Sequence, residues 1–196
     1  IIRGWLTQLR SKLGDQHRET LDMLVTRSQA VIELTDTVKD YVDTITGDAE
    51  PELDAVRVDE IVEQEAIATR QAYDQARITV SELPSQPVLA NSMLASIFRN
   101  RFHNAIQHTD KDVPTVDVTG EKRDETVVIH VADNGTGIPD ARKSELFEKG
   151  KKLNSSGTGI GLFLIQKLTE TYGGSVRVAN NDPEGTVFSI ELRTAA

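Results

Sequence analysis

The chain has 196 residues, 38% hydrophobic and only 5% aromatic, with a net charge of −9 and a pI near 5.0. That length allows one large domain or two modest ones around an aliphatic core, and the acidity argues against nucleic acid as a main partner, since phosphate-backbone binding needs a basic surface. The absence of cysteine excludes disulfides, thiolate metal sites and cysteine nucleophiles, and no apolar run approaches the ~18–20 residues that cross a bilayer.

The first stretch reads as two helices. Ile2, Trp5, Leu9 and Leu13 recur every three or four residues, and Gly14 suits a stop. Asp15 can cap a second helix, in which Leu21, Leu24, Val25, Ser28, Val31, Ile32, Thr35, Val38, Val42 and Ile45 form one stripe. The short connection implies an antiparallel hairpin over 1–47. Such a hairpin cannot bury its stripe alone, so a homodimer with a four-helix bundle is expected; packing on the chain's own C-terminal domain is the alternative. The chain opens at Ile1-Ile2 inside this helix, which makes a fragment the expectation. Gly47-Asp-Ala-Glu50-Pro51 breaks the pattern and marks a domain boundary, with a second domain over 52–196.

Beyond the break, helices and strands alternate. A short strand is expected at 56–58, with Asp59 capping a helix to about Tyr73, then a strand at 76–82. Pro84 and Pro87 punctuate the connection to a helix from Asn91 to His108, whose buried face is Met93, Leu94, Ile97, Phe98, Phe102, Ala105 and Ile106. Residues 114–120 and 126–132 read as adjacent antiparallel strands. A polar loop fills 139–156, a helix spans 161–172 and ends at Gly173-Gly174, and a final hairpin joins 175–179 to 186–192 around Asp182-Pro-Glu-Gly185. The fold class is α+β: an N-terminal helical hairpin, then an α/β sandwich with a mixed sheet covered on one face by helices.

Three motifs carry chemistry. In Asn100-Arg-Phe-His-Asn104-Ala-Ile-Gln-His108, Asn100 and Asn104 are four apart and share a helix face. Their amide oxygens suit Mg²⁺, a hard cation that keeps waters and takes substrate phosphates; ordinary surface amides are the alternative. Asp133-Asn-Gly135-Thr-Gly137-Ile-Pro139 ends an apolar strand. A partly buried Asp133 there can accept from the adenine 6-amino group, whereas guanine would set acceptor against acceptor at a cost of about 1–3 kcal/mol. Gly135 and Gly137 let backbone approach a base; a plain hairpin turn is the rival reading. Gly157-Thr-Gly159-Ile-Gly161-Leu162 precedes a helix and offers backbone N–H groups to phosphate. It is neither a dinucleotide fingerprint nor a Walker loop, and by itself it is equally compatible with a structural role. Lys143, Lys149, Lys151 and Lys152 lie in the intervening loop, which has the length of a lid anchored by Leu146 and Phe147, and one lysine can reach a γ-phosphate. The ordered trio points to an ATP site.

At these residues the chain resembles the two-component sensor histidine kinases, whose catalytic domain belongs to the GHKL ATP-binding superfamily. The segment from Asn100 to His108 resembles the N box, Asp133 to Pro139 the first glycine box, Leu146-Phe147 the F box, and Gly157 to Leu162 the second glycine box. The resemblance implies ATP and Mg²⁺ as cofactors, with Asn104 on the metal and Asn100 assisting. It implies Gln107 and His108 on the phosphate side and Asp133 on adenine. Gly135, Gly137, Ile138, Gly157, Thr158, Gly159, Ile160, Gly161 and Leu162 would shape the pocket, and Thr186 would support adenine through its hydroxyl or a water.

Two departures stand out. Gln107 occupies a position that is often Lys in the family. The phosphoacceptor box (His, an acidic residue, then Pro-Leu) is absent from 1–196, where the first proline is Pro51; it is expected just upstream of Ile1. His17, at the turn between helices, is in the wrong context to replace it, while His103 and His130 read as packing or strand residues. The expected activity is that of a protein histidine kinase: γ-phosphoryl transfer to a histidine in the intact protein, then to an aspartate in a response regulator receiver domain. The fragment itself is expected not to autophosphorylate, to contact neither nucleic acid nor membrane, and to sit in the cytoplasm, with anchoring of the parent protein left open. The alternatives are a GHKL ATPase, in which a Glu would be needed where Asn100 stands, and a degenerate module that binds without chemistry.

Overall fold

A computed structural model describes residues 52–107, 109–143, 146–147 and 161–195. The chain divides into units of 1–43 and 44–196, and every described residue belongs to the second. The hairpin expected over 1–47 therefore lies outside the described residues. Among those residues no helix is long and apolar enough to cross a membrane.

In chain order the elements are β1 (Asp54–Arg57), α1 (Val58–Ala72), β2 (Arg77–Val80), β3 (Pro87–Ala90), α2 (Leu94–Gln107) and β4 (Thr115–Arg123), then β5 (Thr126–Asp133), α3 (Asp140–Lys143), α4 (Gly161–Thr171), β6 (Ser175–Asn180) and β7 (Thr186–Arg193). Five strands form one mixed sheet in the order β2-β4-β5-β7-β6; β2 runs parallel to β4, and the other neighbours are antiparallel. β1 and β3 make a separate antiparallel ribbon, joined to the chain's far end by a bridge between Val88 and Thr194. The α+β class and mixed sheet agree with the sequence reading.

Strand alternation explains why one face of the sheet is covered. In β7, Thr186, Phe188, Ile190 and Leu192 are buried, and in β5 so are Val127, Ile129, Val131 and Asp133. His130 points to the other face, where its Nδ1 is 2.9 Å from Ser189 Oγ, so it is the satisfied strand residue expected. α2 presents Leu94, Ile97, Phe98, Arg101, Phe102 and Ala105 to the core at helical spacing. Each fully buried Leu, Ile or Phe contributes about 1.5–3 kcal/mol. His103 lies beside this stripe, half-buried, with its Nδ1 2.8 Å from the Tyr73 hydroxyl.

Four local expectations shift. Asp59 does not cap α1: the helix begins at Val58, Arg57 stands at the cap position without a side-chain cap bond, and Asp59 lies in the first turn, where its Oδ1 accepts from Arg57 Nε at 2.8 Å. α2 starts at Leu94 rather than Asn91, because Asn91 Oδ1 accepts from Met93 N at 3.0 Å and holds the preceding residues in a turn. The same oxygen accepts from the Tyr172 hydroxyl at 2.6 Å, tying the end of α4 to the start of α2. Pro87 is not mere punctuation: it is the first residue of β3, where a missing N–H is tolerated. The polar loop contains one helical turn, α3, where Lys143 Nζ donates to Asp140 Oδ1 and to Asn180 Oδ1, both at 2.6 Å.

Candidate functional site

Sheet register places the first functional side chain. β5 pairs antiparallel with β7 so that Ala132 faces Val187, which sets Asp133 beside Thr186 at the end of both strands. Both are buried, at 7% and 3% exposure. Asp133 Oδ1 accepts from Gly135 N at 2.9 Å and Thr186 N at 3.1 Å, and its Oδ2 accepts from Arg101 Nη2. Thr186 thus supports the carboxylate through its backbone as well as lending a side chain to the cavity.

The turn after β5 is fixed from several directions. Asn134 Oδ1 accepts from Thr115 N at 2.9 Å, and its Nδ2 donates to Val113 O at 3.0 Å. Gly185, at φ +119°, approaches so closely that an added Cβ would lie 1.9 Å from Asp133 O. Gly137, at φ +73°, would bring its own Cβ to 3.3 Å from Gly185 O. The two turns nest, and glycine's freedom at positive φ makes that possible.

The amide pair meets the second glycine motif. Asn100 Nδ2 donates to Ser96 O at 2.8 Å, one turn back on α2. A Cβ added to Gly161, the first residue of α4, would lie 3.1 Å from Asn100 Oδ1 and 3.8 Å from Asn104 Nδ2. The N-terminus of α4 therefore abuts the Asn face of α2. The first turn of a helix is the kind of place that favours anions.

These pieces enclose one cavity of about 280 Å³. α2 contributes Arg101, Asn104 and Ala105; the turn after β5 contributes Asp133, Gly135, Thr136, Gly137, Ile138 and Pro139. Arg142, Leu162, Thr186 and Phe188 complete the wall. Of the expected site residues, Asn104, Asp133, Gly135, Gly137, Ile138, Leu162 and Thr186 line it together. Asn100 and Gly161 touch each other at its edge rather than appearing in the lining. Gln107 is exposed at the end of α2 and is not in the lining. His108, Gly157, Thr158, Gly159 and Ile160 lie outside the described residues, as do Lys149, Lys151 and Lys152. Leu146 is buried and Phe147 packs edge-on to Phe188, with centroids 6.5 Å apart at 88°.

Sequence reasoning missed Arg101, Arg142 and Phe188. Arg101 is the most consequential: it is 2% exposed, ion-paired to Asp133, and its guanidinium carbon sits 4.2 Å from the Phe188 ring centroid. Burial pushes the Arg101 pKa down, and the Asp133 charge pushes back. The signal was present in the sequence, since Arg101 interrupts the apolar stripe of α2 and a buried arginine needs a buried carboxylate.

Comparisons with known proteins identify the family. Residues 90–196 match the family model described as histidine kinase-, DNA gyrase B-, and HSP90-like ATPase. The chain is 34% identical over 119 residues to the sensor histidine kinase DpiB of Escherichia coli, an alignment covering 58% of this chain and 21% of DpiB. It is 27% identical over 196 residues to the signal transduction histidine-protein kinase AtoS of Escherichia coli, covering 97% of this chain and 32% of AtoS. Full-length ShkA, solved in complex with AMPPNP, superposes with a TM-score of 0.69 at 26% identity, covering 98% of this chain and 42% of ShkA. The chain spans about a fifth to a third of the length of the curated relatives it matches. With a family model covering more than half its residues, this chain belongs to the histidine kinase-, DNA gyrase B-, and HSP90-like ATPases.

Proposed function

We propose that the chain is the ATP-binding part of a protein histidine kinase. One observation carries the reading: the described portions of the three motifs line or border a single cavity. Asp133 lies at its base end, Asn104 and Asn100 sit one helical turn apart, and α4 begins against them. The kinase names of the relatives point the same way.

Mg²⁺ fits the amide pair. Asn100 Oδ1 lies beside the start of α4, and an ion here would take Asn oxygen, phosphate oxygens and water, the ligand set magnesium favours. Bound there, it would neutralise charge on the phosphates during transfer. The chain's own residues then orient the nucleotide. Asp133 takes the base, Thr186 and Gly135 hold Asp133, and the N-terminus of α4 faces the phosphates.

In the intact protein an imidazole nitrogen attacks the γ-phosphorus, the bond to the ADP oxygen breaks, and the imidazole proton leaves to solvent. A receiver-domain aspartate of a response regulator would take the phosphoryl group next. The partner copy, through the hairpin over 1–47, would supply the dimer. The test is incubation of the chain with γ-labelled MgATP, alone and with a polypeptide bearing the dimerisation helix and its acceptor histidine. Base-stable, acid-labile label on the added histidine is the expected result. Steady release of inorganic phosphate without any acceptor would instead assign a hydrolase, despite Asn100 standing where such enzymes need a carboxylate.

A further inference from the structure

We infer that Arg101 is a second base-reading residue of the site: its guanidinium donates to adenine N1 while Asp133 accepts from the 6-amino group, so that two side chains rather than one define the base. The inference rests on the nucleotide reading above and adds a residue to it. The stripe of α2 around Arg101 is made of Leu94, Ile97, Phe98, Phe102 and Ala105, all buried and apolar. An arginine set among them, 2% exposed, needs partners for its donors.

A guanidinium carries five N–H donors and no acceptor. Among the described residues the one hydrogen bond of Arg101 runs from Nη2 to Asp133 Oδ2, and the enclosed Nε has no partner. Nη1 makes no bond there either, yet it is not enclosed; since Arg101 lines the nucleotide cavity, that cavity is what Nη1 opens to. The Phe188 ring, 4.2 Å from the guanidinium carbon, and the Asp133 carboxylate fix the guanidinium plane before any ligand arrives. Asp133 has Oδ1 occupied by two backbone N–H groups and Oδ2 by one guanidinium N–H. A carboxylate offers about four lone-pair sites, so one acceptor position remains.

A donor beside an acceptor is a directional pattern. Adenine matches it, with the 6-amino group as donor and the adjacent N1 as acceptor. Guanine carries the reverse order along the same edge. In that pose its O6 meets the Asp133 acceptor and its N1 hydrogen meets the Arg101 donor, so both contacts fail together. Arg101 therefore reinforces the choice that Asp133 begins, and its bond to N1 is charge-assisted, the stronger class of hydrogen bond. An arginine that served only to neutralise Asp133 would be indifferent to N1.

The experiment is competition binding to the whole chain in saturating Mg²⁺, with ADP and with 1-deaza-ADP, in which a C–H group replaces N1 and the 6-amino group stays. The wild-type chain is expected to bind 1-deaza-ADP about tenfold more weakly than ADP, the effect of one charge-assisted hydrogen bond. Arg101→Met, which keeps length and removes the donors, is expected to bind ADP more weakly and to shrink that ratio below about threefold. The Asp133→Asn, Arg101→Met double variant, which leaves neither charge buried without its partner, should show the same small ratio and serves if circular dichroism finds Arg101→Met unfolded. A wild-type ratio below about threefold overturns the inference, and so does a ratio that stays at the wild-type value in the folded variant. Failure of the wild-type chain to bind ADP would defeat the nucleotide reading itself, whereas equal binding of the two nucleotides would defeat only the role of Arg101.

Discussion

Removing the Asp133 charge tests the buried pair from the side of stability. Asp133→Asn preserves an oxygen for Gly135 N and Thr186 N, at 2.9 and 3.1 Å in the native site. It leaves the 2% exposed Arg101 guanidinium facing an amide that can offer N–H where a carboxylate stood. Breaking a buried ion pair by removing one partner costs about 3–5 kcal/mol, because the remaining charge is uncompensated. Replacing both partners is far milder, so the Asp133→Asn, Arg101→Met double variant should recover at least about 1 kcal/mol of that loss through coupling. Urea unfolding of the four members of the cycle, followed by far-ultraviolet circular dichroism, supplies the numbers. A loss below about 1 kcal/mol for Asp133→Asn, or a double variant less stable than the sum of the singles, would refute the argument. Weakened ATP binding in Asp133→Asn alone therefore says little about chemistry, and nucleotide effects should be compared within the Arg101→Met background.

Other outcomes follow from the same geometry. Asn104→Asp should alter the metal dependence of nucleotide binding in magnesium and manganese titrations, whereas Asn91→Ala should leave it unchanged. Asn91→Ala is not silent for the fold: it removes the acceptor of the 2.6 Å hydrogen bond from the Tyr172 hydroxyl, so the unfolding free energy from urea titration should fall by about 1 kcal/mol. Gly185→Ala should destabilise by about 1–3 kcal/mol from backbone strain alone and displace Asp133, whose carbonyl lies 1.9 Å from the added Cβ position; thermal melting and weaker nucleotide binding together report it. Half-buried Glu65 has its pKa raised from 4.5 by burial, with Arg99 opposing. A carboxyl with a raised folded pKa contributes stability below its unfolded pKa and loses it as pH rises through the folded value. Glu65→Gln should therefore raise the melting temperature at pH 7 and flatten the pH dependence above 4.5.

The strands and helices of the sheet were legible wherever one face is buried and the other wet. Val116 and Val118 alternate with Asp117 and Thr119 in β4, and the α2 stripe keeps helical spacing over six residues. β3 was not legible, because Val88 and Ala90 give only two buried positions and Pro87 looks like a breaker. The polar site was legible in kind, since Asn104, Asp133, Gly137 and Leu162 are types whose chemistry is fixed locally. What a linear reading did not assemble is the contact between Arg101 and Asp133, 32 residues apart. That pairing depends on where α2 crosses the end of β5, and spacing along the chain does not encode it. The nesting of Gly185 against Asp133 O was missed for the same reason.

If the amide face of α2, the turn after β5 and the start of α4 form one triphosphate site, calorimetric titration of the chain with AMPPNP will register it. Saturable heat near one nucleotide per chain is expected in the presence of Mg²⁺ and strongly reduced when the metal is chelated. Absence of saturable binding with Mg²⁺ present, or equal binding with and without the metal, would contradict it.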